Sequence, residues 1–347
     1  MPSLIQNALL QLDPERAHHL AQYLIRLRYA PCFPSVVVDN PFKLFDLTFR
    51  NRVGLAAGWD KNGECIDALF RMGFGFVEVG TVTPKPQEGN PKPRLFRIPE
   101  KKALINRMGF NNAGVDALIV KLQARKEPGI VGVNIGKNKE TELDCAFDDY
   151  EAVLKAVYPY ANYVVINISS PNTAGLRELQ SERYLPDLLQ QLQQTKKNLE
   201  VQYQKKMPLL VKTTVDLQQE RRASFVRILL DNEIDGVVIS NTTLDHSAVA
   251  GCRYADETGG VSGAPLRERA TQMIAEFHRL SEKQLPIIGV GGVLSVEDAH
   301  AHYNAGASLV QVFTGLVYRG PKLIREIVAS EPRTERSAVS GSIGDNV

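Results

Sequence analysis

Eight short apolar segments recur along the chain, and stretches of helical periodicity separate most of them. Each segment is continuously apolar and rich in β-branched residues, which indicates a strand buried on both faces. Alternation of strands and helices implies parallel pairing, and eight such units predict a closed (β/α)8 barrel of the TIM type. The predicted strands lie at 53–57, 74–80, 130–136, 163–169, 208–214, 236–241, 286–292 and 309–315, and the predicted helices at 64–72, 115–125, 185–202, 224–232 and 296–306.

The alternative fold for this pattern is an open, doubly wound sheet. That fold places a G-x-G-x-x-G turn directly after its first strand. The corresponding segment here reads VGLAAGWDKNG and lacks the motif. The strand count together with this missing turn therefore favours the barrel.

Three regions lie outside the barrel repeat. Residues 84–105 are rich in proline and contain a short LFRI run, which predicts a β-hairpin inserted over the barrel mouth. Residues 1–45 precede the barrel and are predicted to form an amphipathic helical segment. Residues 332–347 are small and polar, and we expect a disordered tail there. The barrel domain then occupies residues 46–331.

The N-terminal segment carries its own helix-start signal. Asp13 is suited to cap a helix, Pro14 fits the first helical position, and Glu15 fits the first turn. Apolar positions then follow helical spacing, with arginines available for a polar side. Two such helices could lie on a membrane surface or pack their apolar faces on the barrel, and both possibilities stay open here.

Composition and charge argue against several functional classes. The formal net charge is +2, which gives no argument for nucleic-acid binding, because that function needs a strong basic bias on one face. No apolar run is long enough to span a membrane, and the N-terminus lacks the basic start of a secretory signal. Spacings such as C-x-x-C or H-E-x-x-H do not occur, so we expect no metal site. Four cysteines are scattered singly, which is typical of a reducing cytoplasm: Cys32, Cys65, Cys145 and Cys252.

Polar or glycine residues follow the predicted strands, at the end where TIM barrels build their active sites. Lys212 brings a cation into this opening, where either an anionic ligand or a neighbouring carboxylate should meet it. Asparagine side chains suit a planar, amide-rich heterocycle, and the glycine-rich ends of the last two strands suit a phosphate. These features predict a flavin mononucleotide (FMN) and a small heterocyclic acid. The strand-end residues are Ala57, Gly58, Lys61, Gly80, Thr81, Asn134, Asn167, Lys212, Ser240, Asn241, Gly291, Gly292, Phe313, Thr314 and Gly315.

The motifs at these strand ends resemble those of the dihydroorotate dehydrogenase family. The resemblance covers about residues 45–325. Cytosolic members of the family carry Cys in the catalytic loop and quinone-linked members carry Ser. In this chain Ser170 occupies that position in the catalytic loop, and a helical segment precedes the barrel. Both features resemble those of the membrane-associated quinone class. In order, the motifs read GLAAGWDKNG, GFGFVEVGTVTPKPQEGNPKPRLFR, INRMGFNN, VNIGKNK, NISSPNT, SNTT, GVGGV and QVFTG.

The resemblance implies an oxidoreductase acting on a CH–CH donor, which oxidises (S)-dihydroorotate to orotate in pyrimidine (UMP) biosynthesis. One FMN per subunit would accept the hydride, and a membrane quinone would take the electrons. Ser170 would be the catalytic base that removes the C5 proton. We expect a monomer held peripherally at the cytoplasmic face of the inner membrane by its N-terminal helices.

The resemblance also implies ligand contacts at matching positions. Substrate binding would involve Lys61, Asn106, Arg107, Met108, Gly109, Phe110, Asn167, Asn172, Asn241 and Thr242. Cofactor binding would involve Ala57, Gly58, Trp59, Asp60, Lys61, Thr81, Asn134, Asn167, Lys212, Ser240, Gly263, Gly291, Gly292, Phe313 and Thr314.

The sequence departs from the family pattern in a few places. Residues 213–215 replace the usual Ala/Ser-Pro pattern after Lys212, Trp59 replaces a smaller apolar residue, and Phe313 stands where Tyr is common. A serine also needs help to act as a base, and its motif contains no His or Asp. We therefore expect a closed, dry site and a proton relay through Thr173.

Three other functions are weighed against this one. A related FMN barrel could pass electrons to fumarate or NAD, but such enzymes carry Cys in the catalytic loop or iron–sulfur cysteine runs, which this sequence lacks. A non-redox isomerase or lyase barrel would bind phosphate without a flavin and would be colourless. A scaffold that only binds partners would not need the polar strand ends.

Overall fold

The computed structural model describes residues 4–29 and 39–332. Its central feature is a closed, eight-stranded parallel barrel with the strand order β3-β4-β7-β8-β9-β10-β12-β13. All eight strands predicted from the sequence are present, which confirms the barrel. The strands are β1 (Phe42–Leu44), β2 (Leu47–Phe49), β3 (Val53–Leu55), β4 (Phe76–Val82), β5 (Leu95–Ile98), β6 (Ala103–Asn106), β7 (Ile130–Ile135), β8 (Tyr163–Asn167), β9 (Leu209–Thr214), β10 (Gly236–Asn241), β11 (Gly260–Gly263), β12 (Ile287–Val290) and β13 (Leu309–Val312).

Helices surround the barrel and connect its strands. The five helices predicted from periodicity are present, although the fourth begins earlier, at Gln219. Four further helices of the outer layer were not predicted. The helices are α1 (Leu4–Leu9), α2 (Pro14–Arg28), α3 (Ile66–Met72), α4 (Val115–Ala124), α5 (Ala146–Val157), α6 (Leu185–Tyr203), α7 (Gln219–Asp231), α8 (Arg267–Leu280), α9 (Val296–Asn304), α10 (Thr314–Arg319) and α11 (Lys322–Ser330).

The barrel interior is apolar at its amino-terminal end. The β1–β2 hairpin closes this end, where the Phe49 ring meets the Phe76 ring edge-on with centroids 5.3 Å apart. Above them, inward side chains from several strands form one buried cluster. The end is therefore sealed by packing, and the opposite, carboxyl end is left for chemistry. The inner cluster includes Phe76, Tyr163, Val165, Leu210, Val238, Ile288 and Leu309.

A three-stranded antiparallel sheet lies outside the barrel. The predicted hairpin in 84–105 is confirmed as β5 and β6, which pair with Ile98 opposite Ala103. The third strand, β11, follows β10 in sequence and was not predicted; it pairs with β6, with Val261 opposite Ile105. The sheet is thus assembled from two connections that are distant in sequence.

The N-terminal helices pack on the barrel through polar contacts. Asp13 caps α2 as predicted, because its carboxylate accepts the Arg16 backbone N–H at 3.0 Å and Pro14 is the first helical residue. Glu15 of α2 forms a buried ion pair with Arg94, with an Nη2–Oε1 distance of 2.8 Å. Gln22 donates to the Trp59 carbonyl at 2.9 Å. These contacts hold one face of α2 against the barrel.

The other face of α2 is exposed and carries large apolar side chains among basic ones. Among the described residues, several large apolar side chains of this region are exposed: Leu12, Leu20, Tyr23 and Leu27. Within the described ranges, every helix is too short or too polar to cross a bilayer. The predicted tail, apart from residue 332, lies outside the described residues, as does Cys32. The domain boundaries drawn from the sequence stay predictions.

Candidate active site

A cavity of about 1120 Å³ lies at the carboxyl ends of the barrel strands and continues to α2. The structure brings most of the predicted site residues together around it, although their ligand roles stay predictions. Those that line the cavity are Ala57, Gly58, Trp59, Asp60, Lys61, Thr81, Asn106, Met108, Gly109, Phe110, Asn167, Ser170, Asn172, Lys212, Ser240, Asn241, Thr242, Gly263, Gly291, Gly292, Phe313 and Thr314.

Three of the strand-end residues form one hydrogen-bonded network in the cavity floor. Asn167 donates to Thr81 Oγ1 at 2.9 Å and to Asn134 Oδ1 at 3.0 Å. Thr81 in turn donates to the same Asn134 oxygen at 2.5 Å. Each amide orientation is therefore fixed by its neighbours, which presents a preorganised polar surface to a planar ligand.

Asn134 is the deepest member of this network and does not line the cavity. Its side chain is fully buried, and its Nδ2 donates to Glu78 Oε1 at 2.8 Å. The contact with the cofactor that the resemblance implies for Asn134 stays a prediction. Asn134 also orients Asn167, which reaches the cavity.

Lys61 carries the cation at one wall of the cavity. Its ammonium donates to the Gly58 carbonyl at 2.9 Å. Burial, together with a smaller effect of the nearby Arg94 charge, lowers the pKa of Lys61 to about 8. The side chain is charged at neutral pH and is placed to bind an anionic group.

The loop after β8 holds the predicted base. Ser170 is buried, and its Oγ accepts the Asn172 backbone N–H at 3.2 Å. The Asn172 amide donates to Asn106 Oδ1 at 3.2 Å, which joins this loop to the end of β6. The Thr173 hydroxyl is buried and has no hydrogen-bond partner among the described residues, so the relay through Thr173 stays a prediction.

Arg177 and Asp216 tie this loop to two neighbouring strand ends. Arg177 donates to the Ser169 carbonyl at 3.1 Å and pairs with Asp216 at 3.0 Å. Asp216 also accepts the Thr243 hydroxyl at 2.5 Å and pairs with Arg269 at 3.0 Å. Burial alone would raise the pKa of Asp216, but these hydrogen bonds and charges hold it below its usual value. Asp216 was not predicted as a site residue from the sequence, although it lies at the end of the unusual stretch after Lys212.

Replacing Asp216 by alanine should therefore destabilise the protein. Two half-buried guanidinium groups would lose their shared partner, which we expect to lower the free energy of unfolding by about 2–3 kcal/mol. The matched control is Asp231→Ala, which removes an exposed ion pair with Arg227 and should cost less than about 0.5 kcal/mol. Chemical denaturation of both variants measures the difference. Equal losses of unfolding free energy in the two variants would contradict this role of Asp216.

The glycine-rich ends of the last strands line the cavity and pack closely against the start of α8. Gly291 and Gly292 have φ of 128° and 75°, in the region that side-chain-bearing residues avoid. A Cβ on Gly292 would lie 2.6 Å from the Arg267 backbone nitrogen. Nearby, the Ser262 and Thr314 hydroxyls lie 2.9 Å apart. This close backbone approach with hydroxyls beside it fits a phosphate group.

Two predicted ligand residues use their side chains elsewhere. Arg107 pairs with Glu257 at 2.7 Å, and its guanidinium stacks over the Phe96 ring at 4.7 Å. Asp60 lines the cavity, but its carboxylate accepts two backbone N–H groups, at 2.8 and 2.7 Å, ahead of α3. Burial raises the pKa of Asp60 to about 6. These side chains shape the loops around the cavity.

The part of the cavity beside α2 is more apolar. Trp59 is buried against His18, with ring centroids 5.2 Å apart. Burial lowers the pKa of His18 to about 3, so it is neutral at physiological pH. Ala17 and Tyr29 line the same region. The apolar face of α2 was predicted from helical spacing, but its position over the barrel mouth was not.

Comparison with known proteins gives a consistent result. A family model described as dihydroorotate dehydrogenase matches residues 41–331. The chain is 49% identical over 348 residues to a protein of Stenotrophomonas maltophilia (strain R551-3) named dihydroorotate dehydrogenase (quinone), with 99% of both covered. A Pseudoalteromonas translucida (strain TAC 125) protein of the same name is 51% identical, with 92% of this chain and 96% of that protein covered. A crystal structure of DHODH from Eimeria tenella in complex with ferulenol has 39% identity and a TM-score of 0.84, covering 91% of this chain and 90% of that one.

Proposed function

The chain belongs to the dihydroorotate dehydrogenase family, and we propose that it oxidises (S)-dihydroorotate to orotate in pyrimidine biosynthesis, with one bound FMN and a membrane quinone as electron acceptor. The observation that carries this proposal is a single cavity with two chemically different ends. One end is polar and contains Ser170, Lys61 and asparagines. The other end is apolar and lies under α2.

The residues present fit an FMN. Gly291 and Gly292 line the cavity where the phosphate would lie, while Lys212 and Asn167 offer hydrogen-bond donors where the ring would lie. The Gln311 side chain lines the same cavity, and its buried Oε1 has no hydrogen-bond partner among the described residues. When bound, a flavin supplies a hydride acceptor that can pass electrons onward singly or in pairs.

The substrate would lie between the asparagines and the catalytic loop. Asn172 and Asn106 are already hydrogen-bonded to each other, and Asn241 donates to Ser169 Oγ at 3.1 Å. These amides match the ring C=O and N–H groups of a pyrimidine. The Lys61 ammonium would bind the carboxylate. The substrate is thereby positioned by groups that are oriented before it arrives.

Ser170 would take the proton from C5 of dihydroorotate. Its burial, with that of the neighbouring Ser169 and Thr173, keeps bulk water away from the reacting carbon. The loop is fixed by Arg177 and Asp216, which limits the movement of the hydroxyl. A serine placed in this way can act as base, provided that its proton can leave through a relay.

The apolar end of the cavity would admit the quinone. Its lining by α2 and Trp59 suits a prenylated ring, and the exposed apolar face of α2 suits the interfacial region of a membrane. Exposed arginines flank that face, as anionic lipid would favour: Arg16, Arg26 and Arg28. We therefore propose a peripheral position on the cytoplasmic side of the inner membrane, without an oligomeric partner for catalysis.

The acceptor can be tested directly. Purified protein with dihydroorotate should turn over with a short-chain ubiquinone analogue and remain inactive with fumarate or NAD. Turnover with fumarate or NAD in place of quinone would contradict the proposal and support a related flavin barrel. Absence of turnover with any acceptor, despite a bound flavin, would contradict the assigned substrate.

The Lys61 ammonium should make ligand binding dependent on pH. Because burial lowers its pKa to about 8, the charge is present below that pH and is lost as the pH rises through it. Orotate affinity should therefore fall by roughly tenfold between about pH 7 and about pH 9. Isothermal titration measures this. The control is Lys61→Arg, whose charge persists over this range, so that its affinity should change little with pH. A flat profile for the unmodified protein would contradict the assignment.

A further inference from the structure

A band of polar side chains crosses the barrel interior, directly above its apolar layer. Inward positions on a strand alternate with a period of two. Glu78 therefore follows Phe76 on the inner face of β4, and Lys212 follows Leu210 on β9. Asn134 and Gln311 are buried at the corresponding level of β7 and β13. This band separates the sealed apolar end from the cavity.

Glu78 is the centre of this band. Its Oε1 accepts from Asn134 at 2.8 Å, and its Oε2 accepts from Gln311 at 2.5 Å and from the Tyr163 hydroxyl at 3.3 Å. All three donors are neutral, and the side chain has no measurable exposure. Hydrogen bonds orient this carboxylate, but none of them neutralises its charge.

Lys212 is the buried cation of the same band. None of the described residues forms a hydrogen bond or an ion pair with its ammonium. Glu78 is the charge that acts on it. Burial lowers the pKa of Lys212, and the Glu78 charge opposes that change. Burying a single unpaired charge is strongly unfavourable, because the charge loses its hydration. Two opposite charges in one dry barrel offset each other even without direct contact.

We propose that Glu78 is a positioning residue for the flavin site: it is the buried counter-charge of Lys212, and through Asn134 and Gln311 it orients the floor on which the flavin ring lies. This inference rests on the proposed function, because it takes the ligand above Lys212 to be a flavin. Glu78 itself touches neither cofactor nor substrate. Gln311 lines the cavity, and Asn134 reaches it through Asn167.

The consequence concerns the charge beneath the flavin. With both side chains ionised, the net charge of the pair is zero. Without Glu78, Lys212 either stays as an uncompensated cation, which favours flavin reduction, or loses its proton. Which of these holds depends on pH. Glu78 thus favours the protonated form of Lys212 beneath the flavin.

The first test follows the flavin reduction potential with pH in holoenzyme variants. Glu78→Gln should raise the potential above that of the unmodified protein at acid pH, and the difference should shrink as the pH rises and Lys212 loses its proton. Tyr163→Phe removes a neutral donor from the same carboxylate and should run parallel to the unmodified protein. Lys61, whose pKa is about 8, is present in every variant and cancels in the comparison. A Glu78→Gln curve parallel to the unmodified protein would overturn the proposal.

The second test needs no flavin. In Lys212→Met the carboxylate loses its counter-charge, and Glu78 should take up a proton at neutral pH. Infrared difference spectroscopy should then show the carbonyl band of a protonated carboxyl group, and adding Glu78→Gln should remove it. Absence of that band in Lys212→Met would overturn the proposal. Absence of flavin from the unmodified protein would instead contradict the proposed function, and this infrared result would still stand on its own.

Discussion

Replacing Ser170 by alanine is expected to slow reduction of the flavin by dihydroorotate by roughly 10²–10⁴-fold, the usual contribution of a positioned general base. Dihydroorotate and orotate should still bind, because Lys61 and the asparagines are unchanged. Anaerobic stopped-flow spectroscopy measures the reduction step, and orotate titration measures binding. The expected result is therefore a large loss in rate with little loss in affinity.

Two control variants sharpen this experiment. Ser181→Ala removes a buried hydroxyl of the same segment that lies outside the cavity, and it should leave the rate unchanged. Thr173→Val tests the relay: it should slow flavin reduction and change its pH dependence. An unchanged rate of flavin reduction in Thr173→Val would contradict only the relay. An unchanged rate in Ser170→Ala would contradict the assignment of Ser170 as the base.

Removing residues 1–30 should abolish quinone reduction and spare flavin reduction by dihydroorotate. The deletion removes α2, which forms the apolar wall of the cavity and covers Trp59. It leaves the catalytic loop and the strand ends in place. Steady-state turnover with a quinone analogue and single-turnover flavin reduction measure the two half-reactions separately. Retained quinone turnover would contradict the assignment of this wall to the acceptor.

A point variant tests the same wall with the helix in place. Ala17 is buried and lines the cavity, so Ala17→Phe places a ring in the space for the quinone. A clash of about 1–3 kcal/mol corresponds to a rise of roughly 5- to 150-fold in KM for the quinone. The control is Arg16→Phe, one residue earlier and exposed, away from this cavity. An equal effect in both variants would indicate a change in membrane binding, not in the acceptor site.

The barrel was predictable because each buried strand is marked by its own apolar segment. The unpredicted helices α5 and α8 carry charged residues on their outer faces, which dilute the apolar pattern. Strand β11 is a short GVSG segment whose partner, β6, lies far away in sequence. Local periodicity cannot show such a pairing, and only the folded connections bring the two strands together.

The site residues that lie at strand ends were predictable from the sequence. Residues whose roles depend on contacts across the barrel were harder to predict. Glu78 lies within the apolar run FVEVG, and its role depends on Gln311, a residue 233 positions away. Asn134 and Arg107 match the family motifs, yet one donates to Glu78 and the other pairs with Glu257. Motif matching places a residue on its strand or loop, but the direction of its side chain depends on partners elsewhere in the chain.

The most direct test is the visible spectrum of the purified protein before and after anaerobic addition of dihydroorotate. We expect a flavin band that bleaches on addition and returns when a quinone analogue is supplied. A flavin band that does not change would leave the cofactor in place and contradict the assigned substrate. A colourless protein would contradict the flavin site itself, and with it the interpretation of the polar strand ends.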